Sequence, residues 1–334
     1  MKLIIQIPCL NEEDQLPTTL ADLPRSVPGF DVVEWLVIDD GSSDRTVEVA
    51  LANGVDHVIS LPQNRGLASA FQIGLDGALK LGADVIVNTD ADNQYRADAI
   101  PALVAPILEH RADLVVGDRE VRNLTDFSRT KRWLQATGSR VVRIVSDTDV
   151  PDTTSGFRAY SRDAALGLTV INSYTYTIES IIQAGRSNLA IAAVPVGSNP
   201  STRPSRLFGS TWLYIRRNAV TIIRVFAAYE PLKFFGTMAL LLFGASIVSF
   251  VPFLLDWIIN GDRSGHLQSI ILGAILALGA LQVMVLAVVA DLIHANRRET
   301  QRSMHRIRAI EIALGVQPEH YQSGAVQSPD GSNR

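Results

Sequence analysis

The sequence predicts an α/β domain built on a mostly parallel, doubly wound sheet, followed by interfacial amphipathic helices and two transmembrane helices. Three observations carry that prediction. Short apolar runs alternate with helix-length segments from Leu3 to Val196, the pattern of a sheet with helices on both faces. Polar and acidic clusters close the strands: Asp39-Asp40-Gly41-Ser42, Asp90-Ala91-Asp92-Asn93-Gln94 and Gly117-Asp118-Arg119. Two late stretches, Phe234–Leu255 and Leu267–Ala290, carry no charge, and each exceeds the ~20 apolar residues that a hydrocarbon core requires.

In chain order, Leu3–Pro8 reads as the first strand. Asn11 is suited to N-cap a helix through about Leu20, with acids in its first turn. Val33–Ile38 is the second strand; its loop is dense in turn formers and leads to a helix through about Asn53. A short strand His57–Leu61 precedes Asn64-Arg65-Gly66 and a helix Leu67–Lys80. Val85-Ile86-Val87 is a fully apolar strand, as a strand covered on both faces requires. A helix near Asp98–His110 and a strand Leu114–Val116 follow. Arg122, Arg129, Lys131, Arg132, Arg140 and Arg143 then punctuate apolar residues and suggest an amphipathic helix with a basic face, about 128–146. Helices near Asp163–Leu168 and from Tyr176 to Gly185, and a strand Leu189–Val196, close the soluble part.

The expected domains are therefore 1–197, a linker and interfacial helix over 198–231, a hairpin of spans over 232–295, and a basic helix with a disordered tail over 296–334. The tail is expected to lose structure from Gln322. Pro252 is expected to bend the first span, and Gly273 with Ala277 forms a small-xxx-small pair that lets helices approach closely. Arg203, Arg206, Arg216, Arg217, Arg224 and Lys233 precede the spans, Arg297, Arg298, Arg302, Arg306 and Arg308 follow them, and the loop between holds only Arg263. By the positive-inside rule both flanks, and the catalytic domain, are cytoplasmic in a multi-pass cell-membrane protein.

Composition excludes several classes. A net charge of -4 does not suit a nucleic-acid binder, and a single cysteine, Cys9, excludes an internal disulfide or a cysteine-rich metal site. The six histidines show no ligand spacing.

The chemistry concentrates at the strand ends, because right-handed crossovers bring Pro8, Asp39, Asp90 and Gly117 to one edge of such a sheet, where ligands collect. Asp90, Asp92 and Gln94 offer two carboxylates and an amide, the oxygen donors that hard divalent cations take together with substrate phosphates. The alternative for that triplet is a polar loop in which an Asp caps the next helix.

In this order, the Pro8-x-x-Asn11-Glu12, Asp39-Asp40-Gly41-Ser42, Asn64-x-Gly66, Asp90-Ala91-Asp92-x-Gln94, Gly117-Asp118-Arg119 and Ser155-Gly156-Phe157-Arg158 motifs resemble family 2 nucleotide-sugar glycosyltransferases of the GT-A fold. Within them the chain is similar to the polyprenyl-phosphate glycosyltransferase group. The resemblance implies that Pro8, Asn11, Glu12, Asp39, Asp40, Asn64 and Gly66 form the nucleotide side of a donor pocket. It implies that Asp90, Asp92 and Gln94 hold Mg²⁺ or Mn²⁺ against the donor diphosphate, and that Arg203 or Arg206 grips that diphosphate from the linker. Arg119, with Lys131 or Arg132, would receive the lipid phosphate, so Asp90, Asp92 and Arg119 are the expected catalytic residues. The implied reaction is inverting transfer from a nucleotide sugar, UDP-linked before GDP-mannose, to a membrane polyprenyl phosphate, without nucleic acid. Homo-oligomers through the transmembrane helices are left open. The acceptor-helix pattern departs from the family's, which often has Arg and then Ser four residues on; here Lys131 is followed by Gln135. Transfer to a lipid or glycan hydroxyl is the alternative, with Glu179 or Asp92 as base; a nucleotide-binding membrane scaffold is the second.

Overall fold

The computed structural model describes residues 1–119, 143, 148, 150–170, 176–199, 220, 223–224, 226–260 and 266–324. The expected acceptor helix around Lys131 and Arg132, the linker bearing Arg203 and Arg206, and the chain beyond 324 lie outside these residues.

The elements run β1 (Lys2–Cys9), α1 (Leu16–Asp22), β2 (Val32–Asp39), α2 (Thr46–Ala52), β3 (His57–Ser60), α3 (Leu67–Lys80), β4 (Val85–Asn88), a 3₁₀ turn (Ala97–Ala99), α4 (Ile100–Leu108) and β5 (Leu114–Asp118). They continue with β6 (Arg158–Ser161), α5 (Arg162–Gly167), α6 (Tyr176–Arg186), β7 (Ile191–Pro195), α7 (Pro231–Asn260), α8 (Leu267–Ala313) and β8 (Tyr321–Ser323). The eight strands form one sheet in the order β7-β5-β6-β4-β1-β2-β3-β8. The β1–β2, β1–β4, β2–β3 and β5–β7 pairs are parallel, and β6 runs antiparallel between β4 and β5. The C-terminal ends of β1, β2, β4 and β5 therefore face one edge, as expected.

The core explains the pattern. Leu3, Ile5, Ile7, Val37, Val85, Val87 and Val115 pack under α1, α2 and α4, with Leu16, Leu20, Ala50, Leu103 and Val104 all buried. The opposite face, including Ile4, Leu36 and Ile38, is covered from α3 by Phe71 and Leu75. Burying each large aliphatic side chain contributes about 1.5–3 kcal/mol, and here the strands bury nearly every one. Cys9 is a free, buried core residue.

Three expectations change. Asn11 does not cap α1: the helix starts at Leu16, after Gln15, and Asn11 stands in the left-handed region at φ 53°. Its side chain is committed elsewhere, accepting the Ser43 N–H at 2.8 Å, so a tertiary hydrogen bond outcompetes a local cap. The strand β6 was not expected, because its four residues Arg-Ala-Tyr-Ser carry no apolar run. Gln322 and Ser323, expected in a disordered tail, instead pair in β8 against β3. An exposed sheet edge offers unpaired backbone groups to any extended segment, whatever its side chains.

The chain divides into two compact units, residues 1–209 with 301–334, and residues 210–300. The second holds α7 and the first part of α8, and both helices are long and apolar enough to cross a membrane, by length and composition. Only 11% and 17% of their most apolar windows are buried within the chain. Gly273 is a point of close approach: a Cβ there would lie 2.8 Å from the Phe250 ring, and its carbonyl accepts the Ser246 hydroxyl at 2.8 Å.

Candidate active site

The loops after β1, β2 and β3 are laced together. Asp40 N–H donates to Cys9 O at 2.9 Å, carrying the β1–β2 pairing past the strand ends. Asn11 N–H donates to Ser42 Oγ and Glu12 N–H to Thr46 Oγ1, both at 2.9 Å. Asp39 is buried; it accepts the Ser42 N–H at 3.0 Å and the Ser60 hydroxyl at 2.8 Å. Asp40, also buried, spreads its two oxygens over the N–H groups of Arg65 and Gly66, each at 2.8 Å, and Asn64 Oδ1 accepts the same Gly66 N–H at 2.9 Å. Pro8 lies on β1 opposite Ile38. The structure thus brings Pro8, Asn11, Glu12, Asp39, Asp40, Asn64 and Gly66 into one loop cluster at the edge of the sheet.

A second cluster lies beyond β4. Ala91 O accepts the Thr19 hydroxyl at 2.7 Å, Gln94 N–H donates to Asp92 Oδ1 at 3.2 Å, and Asn199 donates to Gln94 O at 2.9 Å and Asn93 O at 3.0 Å. Burial and then the neighbouring Asp92 carboxylate push Asp90 up to about 7, against the pull of Arg119, the Tyr95 hydroxyl and Arg158. Two carboxylates that repel in a poorly solvated loop are prepared for a cation.

Arg119, at the end of β5, donates from Nε to Asp152 Oδ2 at 2.8 Å and from Nη2 to Asp152 Oδ1 at 3.2 Å and Thr154 Oγ1 at 3.0 Å. Its guanidinium carbon lies 5.9 Å from the Tyr95 ring centre. Asp152 is buried; burial raises its pKa, and the Arg119 and Thr154 hydrogen bonds reverse that and hold it below the usual range. These bonds leave Nη1 of Arg119 without a partner among the described residues.

Several residues that the sequence assigned no role in the site hold this cluster. Gly156 N–H donates to the Tyr95 hydroxyl at 2.8 Å, and Tyr95 stacks on Phe157 at 5.2 Å. A Cβ on Gly156 would lie 2.6 Å from Tyr176 Oη and 3.1 Å from Asp90 Oδ2, so only glycine fits against that carboxylate. Asn88 accepts from Gln6 at 2.8 Å and donates to Gly156 O at 2.8 Å and Tyr176 Oη at 3.1 Å, which ties β1, β4 and α6 together. Arg158 is fully buried and donates to the carbonyls of Ser155, Thr177 and Thr153 and to Ser180 Oγ at 2.7–3.0 Å. It stabilises the 153–158 turn and adds positive charge near Asp90. The Asp152–Arg158 run was visible as a motif, but its partners come from distant elements.

Among the described residues no three His, Cys, Asp or Glu side chains form a ready metal cage. The donor set nonetheless fits Mg²⁺ or Mn²⁺, because such ions are usually held by one or two carboxylates plus substrate phosphates.

The model of glycosyl transferase family 2 matches residues 4–167, which contain the first cluster and Asp90, Asp92, Arg119 and Arg158 of the second. A protein named undecaprenyl-phosphate mannosyltransferase from Micrococcus luteus is 32% identical over 206 residues, 59% of this chain and 83% of its own length. The chain belongs to glycosyl transferase family 2. It is a glycosyltransferase. The family 2 domain is also similar, at 29% identity over 58% of this chain and 76% of the relative, to a polyprenol monophosphomannose synthase of Mycolicibacterium smegmatis. The GT-A-type fold is shared with glucosyl-3-phosphoglycerate synthase from Mycobacterium tuberculosis, crystallised with Mn²⁺ and UDP, at TM-score 0.50 and 24% identity over 66% of this chain and 79% of that one.

Proposed function

We propose that this glycosyltransferase moves a sugar from a nucleotide-sugar donor to the phosphate of a membrane polyprenyl phosphate. A UDP-sugar is the favoured donor and GDP-mannose the alternative. The observation that carries the reading is Arg119: a guanidinium fixed by Asp152 and Thr154, with one nitrogen left over among the described residues, at the strand end beside the Asp90–Asp92 loop. The two N–H groups of that nitrogen can donate charge-assisted hydrogen bonds to phosphate oxygens. The names of the Micrococcus luteus and Mycolicibacterium smegmatis relatives point to the same class of acceptor.

Asp90 and Asp92, with Gln94, would hold Mg²⁺ or Mn²⁺, which when bound supplies positive charge to the donor diphosphate. Asp39 and Asp40 fix the loops that would take the base and ribose, with Pro8, Asn11, Glu12, Asn64 and Gly66 around them. Arg203 or Arg206 is proposed for the diphosphate and Lys131 or Arg132 for the lipid phosphate, beside Arg119. A phosphate monoester has its second pKa near ~6 and is already largely dianionic at neutral pH, so no side chain need take a proton from it. Its oxygen forms the new bond to the anomeric carbon as the bond to the nucleoside diphosphate breaks, which inverts that centre. Arg119 lowers the repulsion between the two anions and aligns the attack.

Membrane placement belongs to this reading. The chain leaves the first unit, passes through two apolar helices and returns to that unit from residue 301, which supports an even number of spans. Together with the arginine-rich flanks it supports a cytoplasmic catalytic domain. Incubating membranes that contain the full chain with radiolabelled nucleotide sugars and undecaprenyl phosphate should yield a labelled lipid that mild acid cleaves. Label appearing only in glycan, or in a lipid stable to that acid, would replace the phosphate acceptor by a hydroxyl. A reporter at Asp262 should be external; protection there would reverse the topology.

A further inference from the structure

The C-terminal segment 301–324 lies outside the residues that family 2 matches, yet it is part of the catalytic unit. Two anchors fix it. Arg308, 7% exposed, donates from Nη1 to Leu168 O at 2.6 Å and Leu166 O at 3.3 Å, and its Nε lies 3.6 Å from Asp76 of α3. Lys80, at the end of α3, bridges Asp76 at 3.0 Å and Glu311 at 3.1 Å. The second anchor is β8, which pairs Tyr321, Gln322 and Ser323 with Ile59, Val58 and His57. Tyr321 Oη lies 2.9 Å from His57 Nδ1, whose other nitrogen is 2.7 Å from Glu34. Gly324 N–H donates to Asp56 O at 2.7 Å, and a Cβ on Gly324 would fall 1.8 Å from Val55 O.

The pairing ends at Ser60. Its N–H donates to His320 O at 3.2 Å, and its hydroxyl donates to Asp39 Oδ2 at 2.8 Å. A backbone bond to the C-terminal segment and a side-chain bond to the donor pocket thus meet on one residue. The same segment grips α3, whose N-terminal approach, Arg65-Gly66, is held by Asp40. Without β8, β3 would be the edge of the sheet on this side, with Ser60 free to turn away from Asp39.

We propose that residues 301–324 form a clasp that positions the nucleotide half of the active site, with Ser60 as the positioning residue that transmits it to Asp39. The chain segment after the second span thereby sets donor affinity and leaves the acceptor site alone. The proposal rests on reading Asp39 as a nucleotide contact.

The test uses the detergent-solubilised full chain, a chain ending at Pro318, a control ending at Gly324, and Ser60→Ala with Ser60→Thr. Binding of UDP and of GDP with Mg²⁺ is measured by calorimetry, KM for nucleotide sugar and for undecaprenyl phosphate by label transfer, and Tm by scanning fluorimetry. The chain ending at Pro318 and Ser60→Ala should each weaken nucleotide binding and raise the donor KM by about 10- to 100-fold, the range for one lost hydrogen bond to a charged group. The acceptor KM should stay within about twofold. Ser60→Thr, which keeps the hydroxyl, and the chain ending at Gly324 should match the full chain. Unchanged donor KM in Ser60→Ala overturns the proposal, as does an equal rise in both KM values. If the chain ending at Pro318 does not fold, the Ser60 pair decides alone. Failure of the unaltered protein to bind either nucleotide would overturn the donor-pocket reading itself and the clasp with it.

Discussion

The two halves of the proposed active site solve opposite electrostatic problems. On the nucleotide side, the buried carboxylates Asp39 and Asp40 each receive two hydrogen bonds, three of the four from backbone N–H groups. Charge there is spent on holding loops. On the transfer side, Asp90 and Asp92 repel each other in a poorly solvated loop, and Arg119 is compensated by one carboxylate at its edge. That half keeps two carboxylates close together and, among the described residues, retains an unused donor nitrogen on Arg119. A site that recognises a neutral heterocycle gains from saturated hydrogen bonds, whereas one that gathers two anions gains from groups whose partners arrive with the substrate.

The largest effect comes from removing charge at the transfer side. Asp92→Asn keeps shape and should lower turnover by at least about a hundredfold, while nucleotide-side loops and Tm hold. EDTA should do the same to the unaltered protein, and Mg²⁺ or Mn²⁺ should reverse it. Full activity in chelator would erase the difference between the halves.

Arg119→Ala comes next, raising the KM for polyprenyl phosphate by about 10- to 100-fold, the equivalent of ~1.5–3 kcal/mol. It also strands Asp152, which is only 4% exposed, so the single variant should lose stability as well. Arg119→Ala with Asp152→Asn should recover Tm but not acceptor KM. Recovery of both would make Arg119 purely structural.

Gly156→Ala should cost about 1–3 kcal/mol by overpacking, read as a lowered denaturation midpoint, because its methyl meets Tyr176 and Asp90. The corresponding change at an exposed nucleotide-side residue such as Ser43→Ala should be near neutral.

The smallest effect is a pH effect. Asp152 has a folded pKa below its unfolded value near ~3.9. Its contribution to stability is therefore present above that unfolded value and lost as pH falls through the lower, folded one. Urea midpoints of the unaltered protein should drop more steeply below about pH 4 than those of Asp152→Asn. Parallel acid limbs would mean that the ion pair contributes nothing.

Local pattern was enough for much of this. The apolar runs of β1, β2 and β4, the helix Leu67–Lys80 and the two apolar helices are legible because burial on both faces, helical period or hydrocarbon length leaves its mark within one segment. The order of the polar clusters likewise identified the family and brought Asp39, Asp90 and Arg119 to one edge.

What the sequence did not determine is whatever depends on a partner far along the chain. Asn11 has the chemistry of a helix cap, and only the approach of Ser43 turns it into a loop tie. Arg158 stands in a motif visible in the sequence, but only the carbonyls of Thr153, Ser155 and Thr177 that enclose it give it a role. Tyr321-Gln322-Ser323 has no strand signal of its own and gains structure from the open edge of β3, more than 260 residues earlier, as His57 and Tyr321 record. Periodicity encodes which face of a segment avoids water; it carries no information about which of several polar groups will meet across the fold. That choice is made only when the sheet closes and each buried donor must find an acceptor.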